Sequence, residues 1–351
     1  MYAYSCIFFS WRCREGCTHF FMDITVIICT YNGASRLPKL FQHLTCQILT
    51  GLIDWDIVIV DNNSQAETAH VVQNYQLLPE FADKLQYCFE PRQGLAFARR
   101  CAAQVARGEL LAFLDDDNLP NPHWVQAVYD FGQQHPQAGA FGGQIVGIYE
   151  GELPSRFDRI ACFLAVIDRG QVPFRYDLLG RWLFPAGAGL VVRREAWSVV
   201  PQQPVLSGVS MDNLAGKGED IETLSYIRKD GWQIWHNPAM EIGHEIGCDR
   251  ISPPYLFRLF RGVGLSRHHT RMIRFQPWQK PLAVVGYALK DLIQLIKHCL
   301  THCHLLRSDL VAQCELILLL NSLLSPFYCF LKASKLFERF EFQGFIGLGS
   351  S

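Results

Sequence analysis

Several features that would assign a 351-residue chain quickly are missing. Net charge is one: 32 Lys and Arg against 33 Asp and Glu leave −1 at pH 7, so no broad positive field draws the chain onto nucleic acid. Paired C-x-x-C spacing is another. The 13 cysteines are odd in number and scattered, which excludes a zinc ribbon or a disulfide framework and reads as reduced thiols in a cytosolic protein. His298, Cys299, His302, Cys303 and His304 offer i,i+4 pairs for a soft metal, but on neighbouring faces of an apolar helix, where packing is the commoner fate. The start has no basic segment followed by an apolar core and a small-residue cleavage site. Residues 1–21 read as a disordered upstream extension, with Met22 as the natural start. No uninterrupted apolar run reaches the ~20 residues of a membrane-crossing helix. Leu282–Leu300 carries Lys290, Asp291 and Lys297, and Leu316–Leu331 is interrupted by Asn321 and Pro326.

What is present is an apolar chain, 49% hydrophobic, with room for one large α/β domain and an appendage. Ile24-Thr25-Val26-Ile27-Ile28-Cys29 is a continuous β-branched run of the kind buried on both faces of a parallel sheet. It turns at Thr30-Tyr31-Asn32-Gly33 into a helix starting near Arg36. A second strand, Trp55–Val60, ends at Asp61-Asn62-Asn63-Ser64. A helix to about Tyr75, a short strand near Leu85–Glu90 and a Gly94-led helix to Ala106 follow, and then the strand Leu110–Leu114. Such βαβαβ repetition predicts an open sheet whose ligands sit outside the carboxyl ends of the strands, where Asn32, Asp61 and Asp115–Asp117 all fall.

The run ending in Asp115-Asp116-Asp117 is the most telling, because an apolar strand that delivers three carboxylates needs them neutralised. In an extended segment Asp115 and Asp117 share a face and Asp116 points away. Oxygen-only ligation suits magnesium, manganese or calcium over zinc. A solvated acidic turn capping the next helix is the plainer alternative, since Asn118-Leu119-Pro120-Asn121-Pro122 is a strong turn signal.

Taken in order, Val26–Asn32, Val60–Ser64, Gly94–Arg99, Phe113–Asp117, Pro185-Ala186-Gly187-Ala188-Gly189 and Gly218-Glu219-Asp220 resemble the inverting family-two glycosyltransferases, over roughly residues 22–250. With Pro238 and His244 the pattern is most similar to bacterial and cyanobacterial exopolysaccharide transferases, including the hormogonium polysaccharide type. The resemblance implies a GT-A-like fold: an open, mostly parallel twisted sheet flanked by helices, with a C-terminal helical region. It implies a nucleotide-diphosphate sugar donor, a UDP-sugar, a divalent magnesium or manganese ion, and a saccharide or lipid-linked acceptor.

Residue by residue, the resemblance puts Asp117 on the metal with Asp115 beside it and nearer the ribose, and His244 facing the metal or diphosphate. Asp61 falls where the uracil ring is recognised. Thr30, Tyr31, Asn32 and Asp116 fall around the nucleotide, and Arg99, more than Arg100, near the diphosphate. The proton of the attacking hydroxyl needs a carboxylate acceptor. The resemblance puts it on the second acid, Asp220, with Glu219 beside it; helix N-terminal acids favoured by the macrodipole are the plainer account. Gly187 and Gly189 suit a close backbone approach to the sugar, and Trp182 and Phe184 either stack on it or pack in the core.

From Arg250 to Lys280 the cations Arg250, Arg258, Arg261, Arg267, Arg271, Arg274 and Lys280 meet no acid, which calls for an anion. Residues 251–335 are therefore expected to form a basic, apolar helical region, interfacial or re-entrant at the inner face of the cell membrane, with a buried bundle or a dimer contact as the alternative, and 336–351 a tail. Two other functions stay open. One is a catalytically silent scaffold subunit of a polysaccharide-assembly complex. The other is a nucleotidyltransferase, which needs a glycine-rich phosphate loop where Thr30–Arg36 has one glycine.

Overall fold

The structure, a computed structural model, describes residues 22–179, 182–208 and 216–333. The expectations for residues 1–21 and 336–351 lie outside the described residues.

The first half repeats strand and helix. Strand β1 (Met22–Thr30) leads to α1 (Leu37–Thr45), β2 (Trp55–Asp61) to α2 (Ala66–Gln76), β3 (Leu85–Phe89) to α3 (Leu95–Val105), and β4 (Gly108–Asp115) ends at the acidic turn. Strand β2 is buried along its whole length, as its unbroken apolar run requires. Gly94 opens α3 at φ +135°, a backbone state that only glycine adopts without strain.

There follow β5 (Asn118–Pro120), α4 (Trp124–Gln134), β6 (Ala138–Gly142), β7 (Ile145–Tyr149), β8 (Phe174–Arg175), β9 (Val191–Arg193), the short α5 (Arg194–Trp197), α6 (Glu219–Lys229), β10 (Gln233–His236), β11 (Ile242–Ile246) and α7 (Cys248–Ile251). The C-terminal region is α8 (Pro253–Met272), α9 (Lys280–His302) and α10 (Leu310–Ala333).

The large sheet runs β3-β2-β1-β4-β9-β6-β10-β8. Its first four strands are parallel, as expected. Strand β9 departs from that pattern and lies antiparallel to both β4 and β6. Register then positions the chemistry: Thr30 stands opposite Asp61 and Cys29 opposite Asp115, so the polar strand ends finish level along one edge. A second sheet, β5-β11-β7, pairs His244 with Asn118 and carries that histidine to the acidic turn.

One apolar layer, with Phe41, Trp124 and Phe141, fills one face of the large sheet, and a second, with Phe113, Tyr176 and Leu224, fills the other. A third, with Phe157, Phe260, Val311 and Leu318, binds the C-terminal helices to the domain. Helix α10 is longer than its apolar core suggests. It runs through Pro326, whose missing N–H leaves the Ser322 carbonyl to accept from the Ser325 hydroxyl at 2.6 Å. By length and composition it is the one described helix able to cross a membrane. It lies on the domain nevertheless, with Glu315 held by Arg159 at 2.6 Å and Asp309 by Arg156 at 2.7 Å.

Candidate functional site

Each of the three aspartates is met by its own arginine. Asp116 accepts from Arg36 Nε and Nη2 at 2.8 and 2.9 Å and from the Thr30 hydroxyl at 2.5 Å. Asp117 accepts from Arg250 Nη1 at 2.6 Å, and Asp115 stands 3.7 Å from Arg99 Nη2. Strand β4 stops at Asp115 and the chain turns, so the strand's alternation ends there, and each carboxylate meets a different arginine. Asp115 and Asp117 still feel each other. Burial first, and Asp117 second to the opposing Arg99, push the Asp115 carboxyl above its ordinary range. Burial acts the same way on Asp117 but is outweighed by His244 and Arg250, which hold it low. The packing here is close: a Cβ on Gly33 would fall 2.0 Å from Thr30 Oγ1 and 2.3 Å from Asp116 Oδ2.

Along the same edge Asp61 is buried, taking the Ser64 N–H and the Tyr87 hydroxyl at 2.8 Å each. Each of its oxygens keeps a second lone pair for a ligand donor. Asn32 sits in the left-handed region at φ 51°. Its N–H reaches Ser64 Oγ and its Oδ1 accepts from Gln65 N, both at 2.9 Å, so it builds the wall between the first two strand ends. Tyr31 beside it is exposed.

Arg99 joins this edge of the sheet to the acids of α6. Buried over the Phe113 ring, its guanidinium donates to the Gly187 carbonyl at 3.1 Å and lies 3.6 Å from Glu219 Oε1 as well as beside Asp115. The Gly187 N–H in turn donates to Asp220 Oδ2 at 3.1 Å. A side chain at Gly187 would meet Arg99 Nη2 at 2.8 Å, which accounts for glycine there. Burial, then the Asp220 charge, raise Glu219 to about 7 against the pull of Arg99. Arg100 is spent on the carbonyls of Pro201 and Ala96, Trp182 lies under Arg228, and Phe184 is in the core.

His244 is buried with Nε2 3.4 Å from Asp117 Oδ2. Adjacent ligands of an octahedral ion stand about 3 Å apart at metal–ligand lengths of about 2.1 Å, so the pair is spaced to share one ion, and its carboxylate is the ligand type that suits manganese or magnesium. A third protein ligand does not converge: among the described residues no three His, Cys, Asp or Glu side chains are grouped to hold a metal. Arg250, which also touches His244 Nε2 at 3.2 Å, supplies the positive charge there. Among the described residues His298 and its neighbours are not grouped as a metal site either, and His298 Nε2 faces the Ala312 carbonyl at 3.0 Å.

Sequence reasoning missed Arg36 and Tyr87, and saw Arg250 only as one of a basic run. Nothing local marks them, because their partners lie 80, 26 and 133 positions away in the chain.

The glycosyl transferase family 2 model matches residues 25–195, the stretch that carries β1 to β9 and all three aspartates. Residues 25–195 carry a glycosyl transferase family 2 domain. Among relatives of this glycosyltransferase, the glucosyl-dolichyl phosphate glucuronosyltransferase of Haloferax volcanii is 24% identical over 64% of this chain and 70% of its own length. The succinoglycan biosynthesis protein ExoM of Rhizobium meliloti is 23% identical over 72% of this chain and 75% of its own. The crystal structure of S. aureus TarS 1-349 aligns over 88% of this chain and 91% of its own with TM-score 0.50 at 14% identity, a likeness of fold. The GT-A fold and the link to glycan biosynthesis therefore hold. The narrower hormogonium type is not among the matches described.

Proposed function

We propose that this glycosyltransferase moves a sugar from a nucleotide-diphosphate donor, a UDP-sugar, to a saccharide or lipid-linked acceptor in polysaccharide assembly, with inversion at the anomeric carbon. The observation that carries the reading is Arg99. One buried guanidinium stands within reach of Asp115 on the donor side and Glu219 on the acceptor side, so both sets of carboxylates meet at a single cation. The names of the Haloferax and Rhizobium relatives support a lipid-linked or polysaccharide acceptor. Free cysteines among the described residues suit a cytoplasmic setting.

The residues divide the work. Asp61, fixed by Ser64 and Tyr87, offers its spare lone pairs to the base of the nucleotide, with Tyr31 and Asn32 shaping the same wall. Asp116 is a positioning residue that ties Thr30 and Arg36 to the turn and so fixes where Asp115 and Asp117 point. On the acceptor side Asp220, oriented by the Gly187 N–H, takes the proton of the attacking hydroxyl. The acceptor oxygen bonds to the anomeric carbon as the bond from that carbon to the diphosphate oxygen breaks, and the nucleoside diphosphate leaves. Attack from the face opposite the leaving group inverts the centre. A divalent ion, held by Asp117 and His244 with Asp115 beside them, would neutralise charge on the departing diphosphate. Arg250 has to leave Asp117 for it.

Two measurements test this. Incubation with a panel of nucleotide sugars should release nucleoside diphosphate from at least one UDP-sugar, and a chain inert toward every donor and acceptor would favour the scaffold role. In calorimetry, manganese should tighten UDP binding at least tenfold in the parent and leave Asp117→Ala unchanged. Parent binding that ignores chelator removes the metal from the reading.

A further inference from the structure

We infer that α9 is an in-plane docking helix for an anionic lipid surface. Its residues Leu282, Val285, Leu289, Ile293, Ile296 and Leu300 recur at intervals of three and four, so at about 100° per residue they fall within an arc of about 80°. That spacing normally marks the face that packs inward. Here it faces out: Leu282 and Leu300 are 74% and 75% exposed, and the four between are exposed too. The opposite side of the helix packs against the domain, with buried Asp291 paired to Arg271 at 2.5 Å and His298 buried against α10. The stripe is about 27 Å long by helix rise. It opens next to the exposed Trp278, a residue type suited to a bilayer interface. Phe327 and Phe330 of α10 are exposed as well.

Charge identifies the occupant. Exposed Lys290 and Lys297 lie about 80–100° round the helix from the stripe's centre, and exposed Lys280 stands at its start. Between residues 251 and 308 the only acid is Asp291, which is buried and already paired. An apolar face edged by lysines with no exposed acid suits acyl chains below and anionic headgroups beside. A second copy docking stripe to stripe would bring Lys290 and Lys297 toward their own equivalents with no acid to meet them. Crossing by α10 is disfavoured, because it would tear Glu315 from Arg159 and Val311 and Leu318 from their cluster.

The geometry also ties this surface to the site. Helix α8, on which the hairpin of α9 and α10 rests, places His269 beside Glu222 of α6, at 3.4 Å, three residues beyond Glu219. Gly218, which opens α6, lies against Ser266 and Thr270 of α8.

Co-sedimentation of the full chain with vesicles tests the inference, and needs neither donor nor acceptor, so its outcome is separate from that of the transferase reading. The parent should pellet at least tenfold more strongly with 70:30 phosphatidylcholine:phosphatidylglycerol than with phosphatidylcholine alone at low salt. Combined Val285→Ser, Leu289→Gln, Ile293→Gln and Ile296→Gln, all at exposed positions, should abolish pelleting while leaving the circular dichroism spectrum unchanged. Lys290→Glu with Lys297→Glu should remove the preference for the anionic lipid. A parent that ignores both vesicles overturns the inference. So does pelleting that survives the stripe substitutions. A vesicle-indifferent dimer that the same substitutions convert to monomer would assign the stripe to a second copy.

Discussion

The carboxyl edge of the sheet and the outer face of α9 break the same rule in opposite directions. At the edge, charge is taken inside: Asp61, Asp116 and Arg99 are buried, and each is held by named partners at hydrogen-bonding or ion-pair distance. On α9, large apolar side chains are left exposed among the described residues. Burying charge is costly unless it is paired, and exposing a contiguous apolar stripe forgoes burial it would otherwise gain. A fold sustains either departure only where something else is served. The difference is in what remains unfinished: the edge satisfies itself and offers spare lone pairs, whereas the helix face waits for another phase.

That contrast can be broken at four points. The largest effect is expected at Asp220→Asn, which keeps size and hydrogen-bonding shape but cannot take a proton. Turnover should fall ~10²–10⁴-fold with UDP affinity nearly intact, while Glu219→Gln stays milder. The reverse ranking in steady-state kinetics would move the base by one residue. Next is Asp116→Ala, which leaves Thr30 and Arg36 without their shared acceptor. It should cost about 1–3 kcal/mol in urea unfolding and loosen UDP binding through the displaced turn.

A smaller effect concerns pH. Glu219 is raised from 4.5 to about 7 in the folded chain, so its contribution to stability is complete below about 4.5 and is lost as pH rises through about 7. The parent's urea midpoint should fall between pH 5 and 8. Glu219→Gln, neutral throughout, should lack that component, and parallel curves for the two would show that Glu219 titrates normally. The least effect belongs to the other surface. Leu289→Gln should change stability by no more than about 0.5 kcal/mol, as a side chain in solvent allows, and a loss above about 2 kcal/mol would mean the stripe is covered within the chain itself.

Much of the edge was legible in the sequence, because β-branched runs ending in polar residues state both the strand and its terminus. The strands through Ile24, Ile57 and Leu111 and the helix after Gly94 lie where those patterns put them. The direction of the three aspartates was not legible, since period two holds only while the strand continues and β4 stops at Asp115. Neither were the arginines that meet Asp116 and Asp117, whose pairing depends on register between elements far apart in sequence. The antiparallel β9 was missed because three residues are too short a run to leave a periodic signal. The continuation of α10 through Pro326 depended on one serine hydroxyl, which composition cannot announce.

Arg99 has a consequence for anyone recombining such enzymes. It grows from α3, yet it leans on Asp115 of β4, on the Gly187 carbonyl and on Glu219 of α6. A graft that takes residues 187–229 from another enzyme imports a new acceptor wall while keeping the old cation beneath it, and the electrostatic balance of the catalytic acids is then set by a residue no one meant to exchange. Under the proposed function, donor preference and acceptor preference would then not be separable modules. Transplants should move residues 95–115 and 187–220 together, and a chimera that splits them inherits the specificity of neither parent.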